Sequence, residues 1–227
     1  MQGAALVALA ATATMAQSSG TVTIIGSVGN AVSIRWWAGS SFGSATGNNA
    51  PPTQNTALSY TLNLGDVSPN NTASSVGGTV TVVLRSNVGY TLSAQVTSSS
   101  GFGTVGNTNG DISLADIGFG LQNLRASGTG SLVTSNAVSG STIAAPFNND
   151  PSGASVNGDG IPSYSATLNN ISASTTVLTG PRISRGGSII SPNNGLLVDT
   201  IYAVVPQFFT PTGGFSATVT YTITATP

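Results

Sequence analysis

From Phe215 to Thr224 the chain alternates: Phe215, Ala217, Val219, Tyr221 and Ile223 fall at one parity, and Ser216, Thr218, Thr220, Thr222 and Thr224 at the other. Successive side chains of a strand point to opposite faces, so this run buries one face and wets the other. Gly213-Gly214 ahead of it is a turn signal, and Pro227 closes it. The same period-two pattern recurs. Val32, Ile34 and Trp36 alternate after Gly29-Asn30, and Leu58, Tyr60, Leu62 and Leu64 alternate before Gly65-Asp66. Val80, Val82 and Leu84 follow Gly77-Gly78, and Ser86-Asn87-Val88-Gly89 reads as a hairpin loop into Tyr90, Leu92, Ala94 and Val96. Ile117, Phe119 and Leu121 form a further candidate strand, and Tyr164, Ala166 and Leu168 another. Leu196 to Val205 is apolar at both parities apart from Asp199 and Thr200, as in a strand covered on both sides.

Composition points the same way. The chain contains no Lys and no Glu, two good helix formers, and is rich in Ser, Thr, Gly, Asn and Val. At 39% hydrophobic it is too apolar for a disordered chain. Residues 98–160, rich in Gly, Ser and Asn, read as long loops carrying short strands. The expected fold is all-β: an Ig-like, Greek-key β-sandwich with long loops, with a jelly roll as the rival. No shift in composition marks a second domain, so residues 31–227 read as a single sandwich.

Charge excludes several functions. Only 5% of residues are charged, where about 25% is usual in soluble domains. All five cations are Arg and all six anions Asp, for a net charge of −1. No basic run is present to hold nucleic acid or an anionic membrane. Without His or Cys there is no Ser-His-Asp triad, no disulfide and no thiolate zinc site. Asp111 with Asp116, or Asp150 with Asp159, could in principle serve as a glycosidase pair, and Asp in such loops ordinarily bonds nearby backbone. Asp199-Thr200-Ile201 lacks the Gly of an aspartic-protease motif. An enzyme is not expected, nor a cofactor or a resident metal. Asn107-Thr108-Asn109-Gly110-Asp111 with Asp116, and Asn149-Asp150 with Asn157-Gly158-Asp159-Gly160, alternate oxygen ligands as calcium loops do, but lack EF-hand spacing and its closing Glu. A low net charge favours association.

Trp36 and Trp37 are neighbours, so on a strand one faces the core and the other an exposed or interface surface; a sugar platform is the functional alternative to packing. Asn70-Asn71-Thr72 and Asn170-Ile171-Ser172 match the N-glycosylation pattern, making Asn70 and Asn170 candidate acceptors.

Residues 1–16 contain a short Ala-rich apolar run, Gly3 to Ala16, ending in small residues. This reads as a secretory signal peptide that lacks its basic start, with a plain apolar segment of the folded protein as the alternative. It is too short to span a bilayer. Residues 17–30 read as an N-terminal extension. Within it, Val22, Ile24 and Val28 share one face of the stretch GTVTIIGSV. They belong either to the first strand of the sandwich or to a strand donated to a neighbouring subunit, where alternate side chains would enter pockets along an open sheet edge.

On three features the chain resembles exported fimbrial or pilus subunits that polymerise by donor-strand complementation: the signal-like start, the alternating extension over residues 20–28, and the final strand FSATVTYTIT at 215–224. The stretch Val83 to Leu92, and Gly180-Pro181-Arg182-Ile183-Ser184 running into Asn193-Asn194-Gly195-Leu196, are similar to hairpins of such surface sandwiches. The disulfide common in chaperone–usher pilins is absent, which leaves the subfamily and any chaperone open. The resemblance implies a subunit of an extracellular filament on the cell surface, serving adhesion, cell contact or biofilm. Its partners would be copies of itself, with surface glycans as a further candidate, and the donor interface would be Val22, Ile24 and Val28. The alternatives are a non-polymeric surface-layer or adhesin module, or a carbohydrate-binding module.

Overall fold

The computed structural model describes residues 24–43, 60–69, 75–127, 133–185, 195–210 and 213–226. Among these residues eight strands form: β1 (Val32–Phe42), β2 (Val76–Ser86), β3 (Gly89–Ser100), β4 (Gly118–Ala126), β5 (Thr142–Ile143), β6 (Thr175–Gly180), β7 (Leu196–Val204) and β8 (Ser216–Thr226). They build two four-stranded sheets, ordered β1-β2-β7-β4 and β5-β6-β3-β8, with every pairing antiparallel. The protein is an all-β sandwich. Its core lies between the sheets, with Val82, Leu84, Phe119, Leu121, Leu196 and Val198 from the first meeting Tyr90, Leu92, Ala94 and Leu178 from the second. Among the described residues no helix is long and apolar enough to cross a membrane.

The alternating runs become strands where an inner face finds a partner. β8 alternates exposed and half-buried residues along its length, with Ser and Thr outward. In β7 every residue except the half-buried Tyr202 is buried, because the strand sits between β2 and β4 and the turn Pro151–Gly153 packs against it from outside. Two-sided cover accounts for its two-sided apolarity.

Three local expectations are corrected. Ser86-Asn87-Val88-Gly89 is not a hairpin loop: β2 and β3 lie in different sheets, so this turn carries the chain across the sandwich. Its geometry is set by Ser86, whose hydroxyl donates to the Val88 carbonyl (2.7 Å) and whose carbonyl accepts from the Ile183 and Ser184 amides (3.0 Å each). Tyr164, Ala166 and Leu168 do not form a strand. Thr167 makes a single bridge to Gly118, and a 3-10 turn follows at Leu168–Ile171, its first turn closed by the Asn170 carboxamide accepting from Thr167 N (2.8 Å). Lastly, the run ending in Tyr60, Leu62 and Leu64 is extended but belongs to neither sheet; Leu58 lies outside the described residues.

Tyr90 shows how the core holds a polar atom. Its ring is 1% exposed, and its hydroxyl meets Ser141 Oγ at 2.8 Å. Ser141 in turn donates to the Ala137 carbonyl, so Tyr90 is the donor to Ser141. Burial pushes the phenol up to about 12. The unfolded chain therefore loses this proton first, near its ordinary value of about 10, and stability falls as pH rises from there through the folded value. Urea midpoints at pH 9 and 11.5 are expected to drop less for Tyr90→Phe than for the parent chain.

Candidate functional site

β1 ends the first sheet and β8 ends the second, and the two strands touch along one side of the sandwich. No further strand closes this side among the described residues. The inward residues of β8, Ala217, Val219, Tyr221 and Ile223, are consequently only half-buried, whereas Leu92 and Ala94 on neighbouring β3 are 0% exposed. A groove of ≈ 980 Å³ runs here, lined by β1, β8 and the segment 60–67, which turns at Gly65 (φ 74°).

The segment lies in the groove by its alternation. Tyr60, Leu62 and Leu64 are half-buried, while Thr61, Asn63 and Gly65 are exposed. Two features of the strands admit it. β1 carries a bulge at Trp37: Trp36 pairs with Val82 and Ala38 with Thr81, so the strand gains a residue and changes phase. After the bulge it is Gly39, paired with the inward-facing Val80, that looks into the sandwich. A methyl group at Gly39 would collide with the Tyr60 ring, and one at Gly78 with Leu62. The glycines thus provide the room the segment uses.

The segment is poorly tied down. None of its backbone groups pairs with a backbone group of β1 or β8 among the described residues. Local turns are among its bonds, with Gly65 N donating to Asn63 Oδ1 (2.9 Å) and Ser68 N to Asp66 Oδ1 (2.8 Å). The Tyr60 hydroxyl and Trp36 Nε1 are both buried with no hydrogen-bond partner among the described residues. Each such orphan costs about 1–3 kcal/mol. Burial raises the Tyr60 phenol above its ordinary value.

Aromatic rings form the groove's inner wall. Trp36 packs edge-on against Tyr221 (centroids 6.1 Å, 82°) and tilted against Tyr60 (6.4 Å). Tyr221 on β8 shares a 2.6 Å hydroxyl contact with Tyr202 on β7, which bridges the two sheets. Desolvation raises both phenols.

The residues singled out in the sequence are distributed as follows. Ile24 and Val28 lie in a fully exposed extended stretch outside both sheets, 92% and 90% exposed, with Ile25 beside them at 90%. Val22 and Asn70 lie outside the described residues. Among the described residues the stretch makes its hydrogen bonds at its base. Asn87 N donates to the Ala31 carbonyl (3.1 Å), Asn87 Oδ1 accepts from Ala31 N (2.7 Å), and Asn87 Nδ2 donates to the Gly29 carbonyl (2.9 Å). Trp36 is half-buried on the groove wall, its indole packed against Tyr60 and Tyr221. Trp37, at the bulge, is half-buried. Asn170 is exposed, with its Oδ1 engaged by Thr167 N and Oγ1.

The oxygen-rich loops are turn caps. Asn107 Oδ1 accepts from the amides of Asn109 and Asp111, Asp116 Oδ2 from Ser113 N and Oγ, Asp150 Oδ1 from Ser152 N and Oγ, and Asn157 Oδ1 from the amides of Asp159 and Ile161.

One cluster is not foreseen from sequence. Asp199, on the outer face of β7, receives both prongs of Arg125 (Nη1 to Oδ2 and Nη2 to Oδ1, 3.0 Å each), Thr81 Oγ1 (2.6 Å) and Asn123 Nδ2 (3.0 Å). Four donors saturate the carboxylate. Arg125 reaches it because β4 bulges between Gln122 and Arg125, with Asn123 in the left-handed region (φ 56°) that Asn tolerates. Burial pushes the Asp199 carboxyl up, but the hydrogen bonds from Arg125, Thr81 and Asn123 and the Arg125 charge outweigh it, and the carboxyl stands below its ordinary value. A saturated carboxylate has no lone pair left for chemistry, so the cluster locks three strands of one sheet together.

No protein-family model matches the chain, nor does any curated protein or solved structure.

Proposed function

We propose that this protein is a structural subunit of an extracellular filament, assembled when the N-terminal extension of one copy enters the edge groove of the next. One observation carries this reading: an exposed, uncharged extension bearing Ile24, Ile25 and Val28 coexists with a sandwich whose groove is bordered by two strand edges that no other strand pairs among the described residues. Exposed strand edges present unpaired backbone groups and are ordinarily covered or blunted by charge. Here β8 carries neither Lys nor any other charged residue. A large exposed apolar run such as Ile24-Ile25 favours a partner.

The magnitudes suffice. Burying Val22, Ile24 and Val28 together is worth on the order of 5–9 kcal/mol, and each ladder hydrogen bond adds about 0.5–1.5 kcal/mol. Ordering the extension offsets part of this, but every internal subunit is held at both ends. The Ser and Thr rows of β8 face outward and give the fibre an uncharged surface.

Deleting residues 17–29 is expected to abolish filaments in electron micrographs while leaving a folded monomer by circular dichroism. Filaments from the truncated chain would assign the donor role elsewhere. A full-length chain that stays monomeric under all native conditions would defeat the filament reading itself.

A further inference from the structure

We infer that the segment 60–67 is a built-in plug, which occupies the edge groove of the free subunit and is displaced when residues 22–28 of a second copy enter. The inference rests on the filament reading and adds to it how a groove of this kind is kept covered before assembly.

The plug has the right side-chain pattern and the wrong backbone. Tyr60, Leu62 and Leu64 enter the groove at every second position, as strand residues do. Yet among the described residues the segment forms no ladder with β1 or β8, and a groove of ≈ 980 Å³ that it lines together with these strands stays open. It also buries the Tyr60 hydroxyl and the Trp36 indole nitrogen without partners among the described residues. A strand that pairs with a free edge makes the bonds the plug does not make. The plug therefore covers apolar surface at low affinity and yields to a better-bonded occupant.

The occupant is a second copy because of how the extension leaves its own sandwich. Asn87 clamps Gly29 and Ala31 on the β2 side of β1, the side opposite the free edge. Beyond the clamp Ile24, Ile25 and Val28 are exposed and touch neither sheet. Their parity matches the plug: Val22, Ile24 and Val28 share one face with the small Gly26 between them, as Tyr60, Leu62 and Leu64 share one face of theirs. Residues 17–30 carry no charge, and the one charge of the plug, Asp66, is exposed.

The test uses the full-length chain and a labelled synthetic peptide of residues 17–30. Added to the monomer, the peptide is expected to bind and to make Tyr60, Leu62 and Leu64 cleavable by chymotrypsin. A peptide carrying Ile24→Asp does neither. Leu62→Ser with Leu64→Ser in the chain loosens the plug without touching β1 or β8, and is expected to tighten peptide binding at least tenfold, since the apparent affinity scales with the fraction of open groove. If that double variant does not fold, the protease readout on the parent chain decides alone. Binding without new cleavage in 60–64 overturns the plug and leaves the filament reading intact. Failure of the peptide to bind a chain that does form filaments also overturns it. A full-length chain that forms no filaments overturns the reading beneath it.

Discussion

Replacing Phe119 with alanine is expected to lower the unfolding free energy by about 4 kcal/mol, the cost of deleting a large ring from a packed core. Phe119 is 0% exposed and stands where three parts of the chain meet. Its ring touches Phe147 (centroids 5.8 Å) from the loop after β5 and Tyr202 (5.5 Å) from β7, and it sits on β4 itself. Its backbone is tied to the same loops, the amide to the Ala166 carbonyl (2.9 Å) and the carbonyl to Asn149 Nδ2 (3.2 Å). These bonds limit how far the site can collapse around the cavity, which keeps the cost high. In a chain of this size the loss corresponds to a fall in melting temperature of roughly 10 °C. Calorimetry and urea midpoints measure it, with Phe208→Ala as the control. Phe208 is 88% exposed, and its truncation is expected to change stability by less than about 0.5 kcal/mol.

Arg125→Met is expected to cost about 3 kcal/mol at neutral pH, because it strands a charge that is mostly out of water. The Asp199 side chain is 10% exposed against 42% for Arg125, so the carboxylate is the member that cannot find solvent. Thr81 and Asn123 still donate to it, which keeps the loss from being larger. The pH dependence separates this account from a simple packing loss. In the parent protein Asp199 holds its proton less tightly than an unfolded carboxyl. As the pH falls below about 4 the unfolded chain takes up that proton first, and stability declines through the lower folded value. Without Arg125 the depression is reduced, so the variant is expected to lose less stability between pH 5 and pH 2 than the parent. Equal acid limbs in urea titrations of the two chains would show that the ion pair is not what Arg125 contributes.

These two sites differ in how they could be read from the chain. Phe119 was legible: it stands in an alternating run with Ile117 and Leu121, and all three are buried. Asp199 announced itself as the charge inside an apolar strand, but its partner did not, because any of five Arg residues could have answered. The choice was made by the β4 bulge, which depends on a left-handed Asn123 and on β4 lying beside β7. The groove was half legible in the same sense. The alternation of Tyr60, Leu62 and Leu64 correctly describes an extended chain with one buried face. It does not reveal that the segment lacks a ladder, since period two reports which way side chains point and says nothing of what the backbone bonds to. Ser86 to Gly89 misled for a related reason: turn residues between two strands specify a reversal, and a reversal within one sheet has the same local sequence as a crossing between two.

The chain by itself determined the class of fold and the identity of most inward-facing residues, because these follow from local parity and from which side chains are present at all. The tertiary structure alone decided which strands are edges among the described residues, that β1 and β8 face a common groove, that Gly39 and Gly78 open it, and that Trp36 packs half-buried against Tyr221 on its wall. Such features depend on pairings between residues far apart in sequence, such as Val80 with Thr200 and Thr91 with Thr224. Those pairings are selected by the whole core closing at once, and no short stretch of sequence contains them.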